Sequence, residues 1–317
     1  MRSSVGRVAR ALFAVAPLTL LLPGPIGGQS ERQSERHVAS ARVVVLQESP
    51  SGPSRELLDG FRKRLEQLGR RVELIVVDVD AEFVKPASGG TDLVLALGSR
   101  ATALAATEFR GTPAIGALLT RESALPDGSQ AAPVVLEFPL EVELEWMRRI
   151  LPKAHRVGVL FSTDENARIV ARAREIAKGL GLEIIARRVA NPSDIPAALS
   201  ALAGSADVLW GIPDEVVLTP ETAKAVLLAS LRNRVPFVGL SSPWVRAGAI
   251  YALERDYSDL GAQTADLAVR VLDGASSRTL AAVRPRRVLY ALNARSAELM
   301  HVSLSAELLS SASEVVR

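Results

Sequence analysis

Short apolar runs rich in valine, leucine and isoleucine punctuate this chain, and they constrain its fold more than any other feature. A strand with one face in water alternates apolar and polar side chains. A strand buried on both faces reads as a continuous apolar run, and such strands lie in parallel sheets covered by helices. Runs of this kind fall at residues 43–46, 72–77, 92–97 and 114–118, and again at 157–161, 183–186, 207–210 and 236–240. Helical stretches separate them. Residues 54–68 are the clearest: Leu57, Leu58, Phe61, Leu65 and Leu68 recur at three- and four-residue spacing, and Gly69 follows as a stop. Further helices are predicted over 99–108, 166–180, 196–202 and 220–232, and the C-terminal part adds strands at 249–253 and 288–292 around a helix at 260–272. The fold class is α/β.

The two series of elements match in order. Arg42 corresponds to Arg156, Leu68-Gly69 to Leu180-Gly181, Asp92 to Asp207 and Pro113 to Pro236, at separations of 112–123 residues. A length of 317 residues leaves room for about two domains at roughly 100–200 residues each. The expectation is two doubly wound parallel-sheet lobes joined by a hinge, with residues 42–134 and 251–281 in the first and 135–250 and 282–317 in the second. Ligands of open α/β sheets bind outside the carboxyl ends of the strands. Two facing lobes therefore predict one small-molecule site in the cleft between them.

The net charge is +3, and Arg2, Arg7 and Arg10 account for all of it. Residues 29–317 are neutral and create no field for nucleic acid or anionic lipid. The same arginines precede an apolar run over residues 11–22, the breaker Pro23-Gly24-Pro25 and the small pair Gly27-Gly28. This is the pattern of a cleavable secretion signal, expected at residues 1–28, and the run is short of the roughly 20 residues a membrane span takes. Residues 29–41 are polar at first and read as a flexible leader. Cysteine is absent, which excludes disulfides, thiolate metal sites, a cysteine nucleophile and a lipid-modified cysteine anchor. A periplasmic, monomeric protein that is not a lipoprotein is expected.

Catalytic signatures are missing. The sequence has no G-x-x-x-x-G-K-[ST] loop and no G-x-G-x-x-G after the first strand, and Gly239-Leu240-Ser241-Ser242-Pro243 lacks the last glycine of a nucleophile elbow. His155 precedes a strand, at the end away from the cleft, and His301 lies near the C-terminus, so neither completes a serine triad. Asp78 with Asp80, and Asp164 with Glu165, have no third metal ligand nearby and suit helix capping. No cofactor, metal or catalytic residue is assigned. Polar residues at strand ends are the binding candidates instead: Ser49, Ser99, Asn166, Asp214, Ser241 and Asp256. Gly98-Ser99 opens a helix whose free N–H groups would receive a carboxylate. Asp214 and Asp256 suit an ammonium or hydroxyl, although aspartates in such positions also cap helices. Trp210 and Trp244 are candidates for stacking on a ring, or for packing.

Several stretches, taken in order, resemble a known family. They are Leu97-Gly98-Ser99, Pro152-x-Ala154-x-Arg156-Val157-Gly158-Val159-Leu160, Val208-Leu209-Trp210-Gly211-Ile212-Pro213-Asp214, Leu218-Thr219-Pro220-Glu221, Arg234-Val235-Pro236-Phe237-Val238-Gly239, Val245-Arg246-Ala247-Gly248-Ala249 and Asp256-Tyr257-x-x-Leu260-Gly261. Together with Gly60-Phe61, they are similar to the substrate-binding proteins of ABC transporters of the TrpX/YtmI-like kind, over residues 42–312. The resemblance implies a type I periplasmic-binding fold and an exported receptor that passes a small solute, often an amino acid, to an ABC permease. It implies Ser99 on the ligand carboxylate, Asn166 and Asp214 from the second lobe, and Asp256 from the returning segment. The chain has Ser49-Pro50 and Asn166-Ala167 where members often carry His-Pro and Asn-Ser. A ligand-sensing partner of a membrane signalling protein, or a hydrolytic enzyme using the same cleft, are the alternative readings.

Overall fold

The computed structural model describes residues 40–48, 50–79 and 90–317. The expected signal, most of the leader, Ser49 and Asp80 lie outside the described residues. Ala41, expected to end the leader, is the first residue of β1.

The first sheet is built from β1 (Ala41–Gln47), β2 (Val72–Asp78), β3 (Leu93–Leu97), β4 (Ala114–Leu119) and β5 (Ala132–Val135), in the order β2-β1-β3-β4-β5 and parallel throughout. Its helices are α1 (Gly52–Gln67) and α2 (Ser99–Glu108). The chain then leaves through residues 136–139 into α3 (Leu140–Ile150) and β6 (Arg156–Phe161). There follow α4 (Asp164–Gly179), β7 (Glu183–Arg188), α5 (Ile195–Ala203), β8 (Val208–Trp210), α6 (Pro220–Asn233), β9 (Phe237–Gly239), α7 (Ser242–Ala247) and β10 (Tyr251–Arg255). Helix α8 (Tyr257–Leu272) precedes β11 (Val288–Asn293), α9 (Ala294–Leu299), α10 (Ala306–Ser311) and β12 (Glu314–Val316). The second sheet runs β12-β11-β10-β9-β8-β6-β7. Its strands are parallel except at the β10–β11 pair.

The matched landmarks correspond physically. At the start of β1 the Asp92 carboxylate accepts the Arg42 N–H at 2.7 Å, and at the start of β6 the Asp207 carboxylate accepts the Arg156 N–H at 2.9 Å. The order β2-β1-β3-β4 recurs as β7-β6-β8-β9. Burial of β3 on both faces, from Leu93 to Leu97, follows from helices covering each side of the sheet.

The expected lobe boundaries shift in three places: Val135 and Val283, expected in the second lobe, pair with the first sheet, and the third shift is longer. Residues 251–255 were assigned with the first lobe, yet β10 pairs with β9 through Tyr251↔Val238 and Ala252↔Gly239 and belongs to the second sheet. Only after it does the chain return, and α8 packs on α1 beneath the first sheet. That contact is backbone to backbone. A Cβ on Gly60 would lie 1.9 Å from the Ser258 carbonyl oxygen, and one on Gly261 would lie 2.0 Å from that of Leu57. Val283 bridges Val134 at the edge of the first sheet, so the last crossing to the second lies in residues 284–287. Arg284, Arg286 and Arg287 there pair with Glu122, Asp259 and Asp256.

Candidate ligand site between the lobes

A cavity of about 360 Å³ lies where the strand ends of both sheets meet the crossings. Such a volume is at the lower end of the roughly 300–1,000 Å³ found for small-molecule sites. Thr120 and Arg121 reach it from the end of β4, Leu136 to Phe138 from the first crossing, and Trp210 to Pro213 from the end of β8. Gly239 to Ser241 come from the end of β9, Leu140 and Glu143 from α3, and Tyr251, Leu253, Arg255 and Tyr257 from β10 and the start of α8. Most of this wall is apolar or aromatic.

Two of the charged groups on it, Arg255 and Glu143, are incompletely partnered. Arg255 donates from Nε to the Leu136 carbonyl at 2.7 Å and from Nη1 to the carbonyls of Leu240 and Leu253 at 3.1 and 3.3 Å. Its guanidinium lies 5.0 Å over the Phe138 ring. Nη2 has no acceptor among the described residues. Glu143 accepts the Trp210 Nε1–H on Oε2 at 3.0 Å, while its other oxygen has no donor among those residues. Burial pushes the Glu143 carboxyl up to about 7, against the opposing influence of Arg255 and of the Trp210 hydrogen bond. The Tyr251 hydroxyl is also without a partner among the described residues, although the residue is only 1% exposed. Burial, then Glu143, holds its pKa well above the ordinary tyrosine value. Arg255 and Glu143 thus face one cavity, and no salt bridge joins them among the described residues.

The strand-end candidates divide sharply. Trp210 and Ser241 line the cavity. Ser99, Asn166, Asp214, Trp244 and Asp256 do not, and each has a structural occupation. Ser99 is exposed at the start of α2, but the N–H groups behind it are taken. The Glu48 carboxylate accepts from Arg100 N at 2.9 Å and Ala101 N at 3.3 Å. Gly98, at φ +103°, has no Cβ because one would sit 2.4 Å from Glu48 Oε1. The carboxylate expected at this helix start is therefore the chain's own. Asp214 accepts from Ser162 N and Oγ, Asn166 Nδ2, Val216 N and Val217 N at 2.7–2.9 Å. Its burial would raise the pKa, but these bonds outweigh it and lower it. Asn166, 1% exposed, also donates to the Pro213 carbonyl and accepts from Arg121. Asp256 caps α8 through Asp259 N and pairs with Arg287, and Trp244 packs on Phe237 with ring centroids 5.6 Å apart.

Sequence reading missed Glu143 because α3 was not recognised, although Leu140, Leu144, Met147 and Leu151 carry its helical spacing. Arg121, Tyr251 and Arg255 had no motif to mark them, and Tyr257 stood in a quoted stretch in which only Asp256 was taken as a site residue.

Two doubly wound lobes, three crossings and a cavity at the facing strand ends define a type I periplasmic-binding fold. The family model for ABC transporter substrate binding proteins matches residues 95–316, more than two thirds of the chain. The chain belongs to that family. A tyrosine-binding protein of Clostridioides difficile (strain R20291) is 29% identical over 139 residues, covering 43% of this chain. The match spans 40% of that relative's length. Among solved structures, a ligand-free, open substrate-binding protein with adhesive properties from Clostridium difficile superposes with a TM-score of 0.69 at 19% identity. That match covers 87% of this chain and 99% of the other. An ABC domain in complex with L-Trp from Streptococcus pneumonia gives 0.58 at 20% identity, covering 88% of this chain and all of that one. These structures share the fold.

Proposed function

We propose that this protein is exported, captures a free amino acid in the interlobe cavity and presents it to an ABC permease. An aromatic amino acid fits the site best. The observation that carries this reading is the pair of unjoined, opposite charges on one aromatic-walled cavity. Arg255 has a free donor for an α-carboxylate, Glu143 a free acceptor for an α-ammonium, and Phe138, Trp210, Tyr251 and Tyr257 enclose a ring. A ligand touching both lobes binds their closed arrangement better than the open one and shifts the population toward it. A permease then reads the closed shape. The tyrosine-binding and L-Trp-bound relatives support the same ligand class, and the basic, apolar and small-residue order of residues 1–28 supports export.

Calorimetry with L-tyrosine, L-tryptophan, tyramine and 3-(4-hydroxyphenyl)propionate tests the reading. One of the two amino acids should bind, and the analogue lacking either charged group should bind at least about tenfold more weakly, since hydrogen bonds to charged groups contribute about 1.5–3 kcal/mol. Equal binding of the amino acid and both analogues, or no response to either amino acid, overturns it.

A further inference from the structure

The lobes are joined by side chains as well as by the crossings. Arg121 follows β4 of the first lobe, and its side chain is only 13% exposed. It donates from Nη1 to Asn166 Oδ1 at 3.0 Å and from Nη2 to the Pro213 carbonyl at 2.9 Å, both in the second lobe. It is also paired with Glu165 at 3.3 Å, and Ser123 Oγ, from the same first-lobe loop, donates to Glu165 Oε1 at 2.6 Å. Asn166 and Pro213 do not depend on a ligand for their positions. Asn166 Nδ2 bonds the Pro213 carbonyl and Asp214, and Asp214 in turn holds five donors of the second lobe. The receptor for the guanidinium is thus rigid and already built.

We infer that Arg121 is a positioning residue that latches the lobes in their closed arrangement: it supplies from the first lobe a bridging contact that adds to the one a solute makes. The planar fork of an arginine meets two acceptors at once, which a lysine ammonium cannot do in the same geometry. Arg121 lies on the cavity wall, so closure by this route leaves the cavity in place. A receptor whose competent state is already populated binds with an affinity nearer its intrinsic value, because apparent affinity scales with the competent fraction. This inference concerns the regulation of the proposed site and rests on that reading only for its ligand arm.

The test is a distance measurement on the protein without ligand. The chain has no cysteine, so paired spin labels at Asp127→Cys in the first lobe and Ser193→Cys in the second report a single interlobe distance by pulsed electron resonance. Both positions are exposed. The ligand-free parent should give a distribution with a populated short component, which saturating L-tyrosine raises. Arg121→Ala should lengthen and broaden the ligand-free distribution, Arg121→Lys should fall between, and Glu165→Ala should move it in the same direction by less. In parallel, L-tyrosine titrated into Arg121→Ala should bind about tenfold or more weakly than into the parent, and saturating L-tyrosine should restore the short distance. An unchanged ligand-free distribution in Arg121→Ala overturns the inference, whatever L-tyrosine does. Failure of both L-tyrosine and L-tryptophan to bind the parent, with the Arg121→Ala shift present, counts against the ligand reading alone and leaves the latch intact.

Discussion

Glu143→Gln separates the electrostatic cost of the cavity from its packing. The glutamate sits on the cavity wall with its carboxyl raised to about 7 from an ordinary 4.5, first by burial, with Arg255 and Trp210 opposing. Below pH 4.5 the group is protonated in folded and unfolded chains and contributes nothing to the pH dependence. Between 4.5 and about 7 the unfolded chain releases its proton while the folded one retains it, so rising pH favours unfolding. Above 7 the cost is complete. At about 1.4 kcal/mol for each pH unit between the two values, it amounts to on the order of 3 kcal/mol. The substituted amide keeps an acceptor for Trp210 Nε1 and never ionises. Urea unfolding of both proteins at pH 5, 6, 7 and 8 should show the parent losing stability relative to the variant by on the order of 2–3 kcal/mol across the series. An α-ammonium beside Glu143 favours the ionised carboxylate, so L-tyrosine affinity of the parent should rise from pH 6 to 8 and that of the variant should not. Stability profiles that run parallel from pH 5 to 8 would refute the argument that burial, outweighing Arg255 and Trp210, governs this group.

Two further outcomes follow from close contacts in the first lobe. Gly261→Ala forces a methyl to within 2.0 Å of the Leu57 carbonyl oxygen in α1; backbone cannot swing aside as a side chain can, and urea unfolding should show a loss of at least about 1–3 kcal/mol. Glu48→Ala leaves the first-turn N–H groups of Arg100 and Ala101 without their acceptor, which should cost about 0.5–2 kcal/mol, as loss of a helix cap does. Because a helix N-terminus receives anions, sulfate should recover more stability in that variant than in the parent, and equal sulfate responses would show that Glu48 is not seated there.

The architecture was legible because it is written in local patterns. The apolar runs of β1, β3, β4 and β6 and the spacing of Leu57, Phe61 and Leu65 each state a burial requirement that needs no distant partner to be read. The repeated Arg–Asp landmarks were legible for a similar reason: Asp92 and Asp207 do the same job at equivalent strand starts. The assignment of β10 was not, because the choice between sheets depends on which strand edge is free, here that of β9. The glycines at 60 and 261 could be seen in the sequence, but their reason could not, since they lie 201 positions apart and meet only where α1 crosses α8.

Of the strand-end candidates only Trp210 and Ser241 reach the interlobe cavity, and the physical cause is general. Polar groups at strand ends must have partners when buried, and a chain that folds before it meets its solute has to find those partners within itself. Short side chains beside a helix start are the readiest to do so. Asp214 collects five donors, Asp256 caps α8, and Glu48 fills the start of α2. The groups proposed to meet a ligand are those whose bonding capacity the described residues do not fill: a guanidinium with one nitrogen over after three carbonyls, a carboxylate with one oxygen over after an indole, and a phenol at the cavity wall. Arg255, Glu143 and Tyr251 stand on β10 and α3 and converge only because residues 136–139 carry α3 across the crossing. Residue type and strand-end position therefore point to the mouth of the sheets, whereas the surplus bonding capacity that makes a receptor arises from the crossings between them.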